Sequence, residues 1–157
     1  MKAHLTIAAV TAVFLTTLPA RADYPLIHHR YIADPCGIEV NGELYIFGSN
    51  DDDNTTANYL MHSIVCISST DLKNWTDHGL VFNVPANCSW ATRSWVPQVV
   101  ARNGKFYLFF SAGGGSIGVA SSTSIAGTYT DAKGGFAYQH KHSGSLGHHF
   151  AGPGLPD

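Results

Sequence analysis

Residues 38–49 and 99–111 are two versions of one strand-turn-strand block, and their Asn-Gly pairs, Asn41-Gly42 and Asn103-Gly104, stand 62 positions apart. A second echo follows each block. Ser68-Ser69-Thr70 with Trp75-Thr76-Asp77 matches Ser121-Ser122-Thr123 with Tyr129-Thr130-Asp131, at offsets of 53 and 54. Asn-Gly between apolar runs is the strongest short hairpin signal, because both turn residues take positive φ. A repeat made of a few short strands cannot bury its apolar faces alone, so neighbouring copies stack like the blades of a propeller. This predicts an all-β chain, a β-propeller fragment of about two blades.

Along the first copy, strands are expected at residues 38–40, 44–48 and 63–68, with a short outer strand at 80–82. The second copy is expected to supply strands at 95–102, 105–111 and 116–121, with the run from Ala112 to Gly115 as a tight turn between them. Residues 84–94, around Pro85, read as an irregular connector, and Asp51-Asp52-Asp53 as a solvated acidic turn without the spaced oxygen ligands of a calcium loop. No amphipathic helix is expected.

The ends differ in character. Lys2, an apolar run from Leu5 to Leu18, and Ala20-Arg21-Ala22 form a signal peptide over residues 1–22, too short to span a bilayer. A partial propeller domain is assigned to residues 23–133 and an irregular tail to 134–157, where His140, His142, His148 and His149 keep no ligand spacing. Export fits the sequons at Asn54, Asn74 and Asn87. Cys36, Cys66 and Cys88 allow one disulfide in three pairings, with one thiol left over. After Lys2 and Arg21 are removed, 7 basic residues face 11 acidic ones, a balance of −4, and none of the basic residues cluster. A secreted, extracellular protein is therefore expected, with no nucleic-acid partner, no membrane association after cleavage, no cofactor and no metal.

Several spaced motifs resemble glycoside hydrolase family 43. They are Ala33-Asp34-Pro35 at the head of one block, Trp95-Val96-Pro97-Gln98-Val99 at the head of the next, the paired hairpins, the run from Ser68 to Trp75, and Gly118-Val119-Ala120. The resemblance covers about Tyr24 to Lys133. It implies a five-bladed propeller, here its N-terminal portion. It also implies inverting hydrolysis of arabinofuranosyl or xylosyl residues in plant cell-wall hemicellulose, polysaccharide or oligosaccharide. The motif match gives Asp34 the role of general base. In the family a later Ile-Asp-Pro aspartate orients and tunes the acid, and a glutamate further on protonates the leaving group.

An inverting site needs an ionised base and a protonated acid roughly 6.5–9.5 Å apart, with water between the base and the sugar. The only glutamates in the chain are Glu39 and Glu43, both in the first hairpin, and no Asp-Pro follows Asp34-Pro35. Asp77 and Asp131 read as turn formers. The base is therefore expected to stand alone, in a truncated and inactive chain. The competing class is a non-catalytic carbohydrate-binding propeller fragment. Trp95 and Gln98 are candidates for lining the sugar site, an aromatic face to stack and an amide to bond hydroxyls; Trp95 packing between blades is the alternative. Trp75 reads as blade packing, since Tyr129 holds its place in the second copy. His28 and His29 read as structural or exposed side chains near the site.

Overall fold

The computed structural model describes residues 25–51, 61–113 and 115–139. These contain two antiparallel sheets. The first has the order β1 (Ile32–Val40), β2 (Glu43–Asn50), β3 (Ser63–Ser69) and β4 (Thr76–Asn83). The second has β5 (Trp95–Arg102), β6 (Lys105–Gly113), β7 (Ser116–Ser122) and β8 (Thr130–Asp131), with β9 (Tyr138–Gln139) also on β7. They are blade 1 and blade 2, and among the described residues there is no helix. The signal segment at 1–22, Asn54, Asp52, Asp53 and the four tail histidines lie outside the described residues.

Both Asn-Gly pairs fold as expected. Asn41 and Gly42 have φ of 54° and 83°, Asn103 and Gly104 of 51° and 72°. Two successive positive φ angles twist a two-residue turn to match its strands.

Side chains alternate, so each sheet has two faces. Phe47 pairs with Cys36 on one side and Cys66 on the other, which puts all three on the face turned towards blade 2. Leu108 and Phe110 of blade 2 meet that face, and Phe82 tilts against Phe110 with ring centroids 4.6 Å apart. Tyr129 is fully buried between the blades, its ring edge-on to Phe47 at 6.1 Å. Its backbone N–H donates to Val81 of blade 1 at 2.8 Å, and its hydroxyl donates to Ile125 at 2.9 Å. Gly118 leaves room for the Phe110 ring, against which any β-carbon would collide. The connector fills the same space with Val84, Cys88 and Ala91.

The structure corrects several expectations. β1 starts at Ile32 rather than at residue 38, because a bulge absorbs Asp34 and Pro35 and lets pairing resume at Cys36. β4 runs from Thr76, ahead of the outer strand expected at residue 80. Ala112 and Gly113 belong to β6, since Gly113 still pairs with Ser116, and the turn is correspondingly tighter. The strand pattern continues past Lys133: Tyr138 pairs with Ile117 and Gln139 with Ser116. The outer strand of blade 2 is broken by Gly134-Gly135 into β8 and β9, and Phe136 anchors the break edge-on to Trp90 at 4.8 Å.

The three cysteines are free thiols. Cys36 and Cys66 sit on strands either side of β2, which separates their Cα atoms by about 9.5 Å, beyond the roughly 4.4–6.8 Å that a disulfide spans. Burial pushes the Cys66 thiol up to about 12 and that of Cys88 up to about 11, so neither is a ready thiolate.

Asp77 and Asp131 do more than form turns. In each, Oδ1 accepts a turn N–H, from Gly79 at 2.7 Å and from Lys133 at 3.0 Å. In each, Oδ2 holds the segment that leads into the same blade. Asp77 binds Arg30 Nε at 2.8 Å and His29 Nε2 at 2.6 Å, while Asp131 accepts from Trp90 Nε1 at 2.6 Å. His29 is therefore structural. The turn that opens at Asp71 is closed by its carboxylate, which accepts from the N–H groups of Asn74 and Lys73 and is held well below the usual carboxylate range by them.

Candidate active site

Asp34 lies in a bulge at the head of the inner strand of blade 1. Ala33 pairs with Ser49 and Cys36 with Phe47, so Asp34 and Pro35 together oppose the single residue Gly48. Blade 2 repeats this arrangement. Trp95 pairs with Ser111 and Gln98 with Phe109, so Val96 and Pro97 together oppose Phe110. Asp34 and Val96, each before a proline, have φ of 51° and 50°. Positive φ is costly for a residue with a β-carbon, and more so for a β-branched valine. The bulge is thus a device of the blade, and it forms without a carboxylate. What distinguishes Asp34 from Val96 is its chemistry.

The Asp34 side chain is solvent-exposed beside a buried hydroxyl. Ser49 Oγ donates to Asp34 Oδ2 at 3.3 Å and accepts the Val96 backbone N–H at 3.1 Å. One fully buried serine therefore ties the two bulges together and points a donor at the carboxylate. Sequence reasoning missed Ser49. Its signal was available in the repeat, where Ser49 ends the first block as Ser111 ends the second.

Trp95 precedes Val96 and is half-buried, with the Arg93 guanidinium 5.8 Å from its ring centroid and its Nε1 shielded from solvent. Gln98 is exposed on the far side of the bulge, its amide donating weakly to Val99 at 3.4 Å. By register both belong to the face of blade 2 turned away from blade 1. Neither is joined to Asp34 by a hydrogen bond.

The glutamates lie at the opposite end of the hairpin. At about 3.3 Å per residue, Glu39 is roughly 16 Å along β1 from Asp34, and Glu43, paired with Val40, roughly 20 Å. Glu39 accepts from the turn N–H of Gly42, and Glu43 accepts from the Tyr45 hydroxyl at 2.8 Å. Hydrogen bonds from Ser68 and then Tyr45 lower the Glu43 pKa, which is the opposite of what a general acid needs. Among the described residues no three His, Cys, Asp or Glu side chains gather as a metal site would require.

A profile of the glycosyl hydrolases family 43 matches residues 23–145. The chain belongs to glycosyl hydrolase family 43. Within that family it is 39% identical over 129 residues to an arabinoxylan arabinofuranohydrolase of Bacillus subtilis (strain 168), a match covering 68% of this chain and 25% of that protein. The structure of an α-L-arabinofuranosidase from Clostridium thermocellum ATCC 27405 superposes with a TM-score of 0.62 at 47% identity, covering 74% of this chain and 39% of the other. A family 43 β-xylosidase/α-arabinofuranosidase from a compost microbial metagenome, solved with xylotriose, gives 0.63 at 31% identity, covering 71% and 37%. The chain thus spans about a quarter of the first relative and under two fifths of the solved ones. Two blades of five make a similar share.

Proposed function

We propose that the two blades carry the general-base half of a secreted, inverting family 43 glycoside hydrolase acting on arabinofuranosyl or xylosyl residues of hemicellulose. The observation that carries this is the pair of equivalent bulges: the same strained backbone holds an aspartate in one blade and a valine in the other. The carboxylate is surplus to the architecture, and an exposed carboxylate steered by a buried hydroxyl suits activation of a water. The relatives' names supply the substrate class. Trp95 and Gln98 flank the second bulge, where they would meet the sugar.

The complementary acid is not Glu39 or Glu43, so the two blades alone are expected to bind sugar without cleaving it. The check is turnover of aryl arabinofuranoside and xyloside by the chain from Asp23, with Asp34→Asn beside it. No turnover in either is expected. Turnover that survives Asp34→Asn would overturn the base assignment, and turnover that Asp34→Asn abolishes would overturn the half-site.

Export carries a second expectation. Asn74 is exposed at a turn, its side-chain amide donating to Asp71 at 2.7 Å. Asn87 is half-buried between the blades: its side-chain oxygen accepts from Asn83 N–H at 2.9 Å and its carbonyl from Asp131 N–H at 2.9 Å. On protein secreted from a eukaryotic host, glycopeptide mass spectrometry should find glycan on Asn74 and none on Asn87. Occupancy of Asn87 would contradict this.

A further inference from the structure

The two blades carry the same hairpin with opposite charges. Asn41-Gly42 stands between Glu39 and Glu43, whereas Asn103-Gly104 stands between Arg102 and Lys105. The backbone does not distinguish them: φ is 54° and 83° in the first turn and 51° and 72° in the second. Both residues of each turn are exposed. In each blade the turn closes on a strand pair, Val40 with Glu43 and Arg102 with Lys105, which gathers the flanking side chains around the two turn residues.

The charges matter because Asn-Gly is chemically reactive. The glycine N–H can lose its proton and attack the asparagine Cγ. The N–Cγ bond forms as the Cγ–Nδ2 bond breaks, and Nδ2 leaves as ammonia with that proton. Water then opens the succinimide ring at either carbonyl, giving aspartate or isoaspartate. Glycine sets no side chain in the way of the attack. The attacking nitrogen is anionic, and an anion is disfavoured beside carboxylates and favoured beside cations. In blade 1 the Gly42 N–H donates to Glu39 Oε1, a charge-assisted bond that holds the proton on the nucleophile. Ser68 and then Tyr45 keep Glu43 ionised beside it. In blade 2 Ala101 takes the place of Glu39 and has no side-chain acceptor to offer. Arg102 and Lys105 are exposed, and no carboxylate among the described residues forms a salt bridge with either.

We propose that Asn103 is a site of spontaneous modification, converting to aspartate and isoaspartate through the succinimide, while Asn41 in the same turn is protected by its acidic neighbours. The expected ratio of rates is roughly tenfold, which about one pK unit in the acidity of the attacking amide supplies. Isoaspartate carries an extra methylene in the main chain. A two-residue turn with two positive φ angles has no room for it, so the Arg102–Lys105 pair at the tip of the β5–β6 hairpin is lost in that product.

Timed incubation of the chain from Asp23 at neutral pH and low salt, followed by chymotryptic peptide mapping by mass spectrometry, tests this. Each conversion replaces NH with O in the peptide, and an isoaspartyl methyltransferase labels the isoaspartate product. Asn103 is expected to convert roughly tenfold faster than Asn41, and the ratio should shrink in high salt, which screens exposed charges. Glu39→Gln with Glu43→Gln keeps the oxygen acceptors, removes the charges, and should speed Asn41. Arg102→Gln with Lys105→Gln should slow Asn103. These side chains lie at the hairpin tips and are exposed or half-buried, so circular dichroism should report an unchanged fold. Loosening the second hairpin would speed Asn103, so slowing cannot come from misfolding. Equal wild-type rates, or a faster Asn41, would overturn the proposal. So would rates that the charge-removing variants leave unchanged, or a ratio that the urea-unfolded chain keeps in full, since the folded turn would then contribute nothing.

Discussion

Phe47→Ala should remove about 3–5 kcal/mol of stability, a range set by large-to-small changes at fully buried aromatic positions. The side chain has no exposure, lies between Cys36 and Cys66, and takes the edge of Tyr129 from the other blade. Its loss opens a void that both blades border, and neither can close it without moving the other. For a chain of this size such a loss is a large part of the whole margin. The control is Phe109→Ala, the same residue at the same register of the second repeat, but only half-buried. There the cost should be about 1–2 kcal/mol. Urea unfolding followed by tryptophan fluorescence separates the two. Equal losses would mean that the blades are independent units and that the core between them contributes little.

That contrast shows what the sequence made legible. The Asn-Gly turns, the strand pairs beside them and the stacking of two copies depend on short-range signals: a turn chemistry and an alternation of apolar residues. Asp34 was legible as a motif, since Asp-Pro at a strand head is local. Its backbone was not. A bulge is defined by what lies across from it, and nothing within residues 33–36 says that they oppose one residue fewer on β2. Ser49 was hidden for a similar reason, because its two partners lie on β1 and on the other blade. Tyr138 and Gln139 were lost in a glycine-rich stretch whose composition resembles a tail, although a vacant edge of β7 was there to pair them. The aspartates at the blade edges looked like turn formers because that half of their bonding is local. The other half reaches back to the start of the same blade.

Asp77 is where that long-range half has a measurable consequence. Burial by itself would raise its carboxyl, but the Arg30 guanidinium, the Gly79 amide and His29 outweigh it and hold the pKa at about 2. The unfolded chain would titrate this group near 3.9. A folded-state pKa below the unfolded one contributes stability that is fully present above about pH 4 and is lost as pH falls through about pH 2. Since Arg30 and His29 are themselves partly exposed, solvent screening keeps the contribution to about 1–2 kcal/mol. Asp77→Asn keeps the shape, can still accept from Gly79, and loses the charge. It should unfold at lower urea than the wild type near neutral pH and approach it at about pH 2. Asp77→Ala should do worse at every pH, because the Gly79 amide loses its acceptor too and the lead-in loses its anchor over an apolar cavity. A gap between wild type and Asp77→Asn that stays constant from neutral pH to about pH 2 would show that the Asp77–Arg30 charge pair is too well solvated to hold the lead-in. The latch would then owe its strength to hydrogen-bond geometry, as in blade 2, where the donor to Asp131 is the uncharged Trp90 indole.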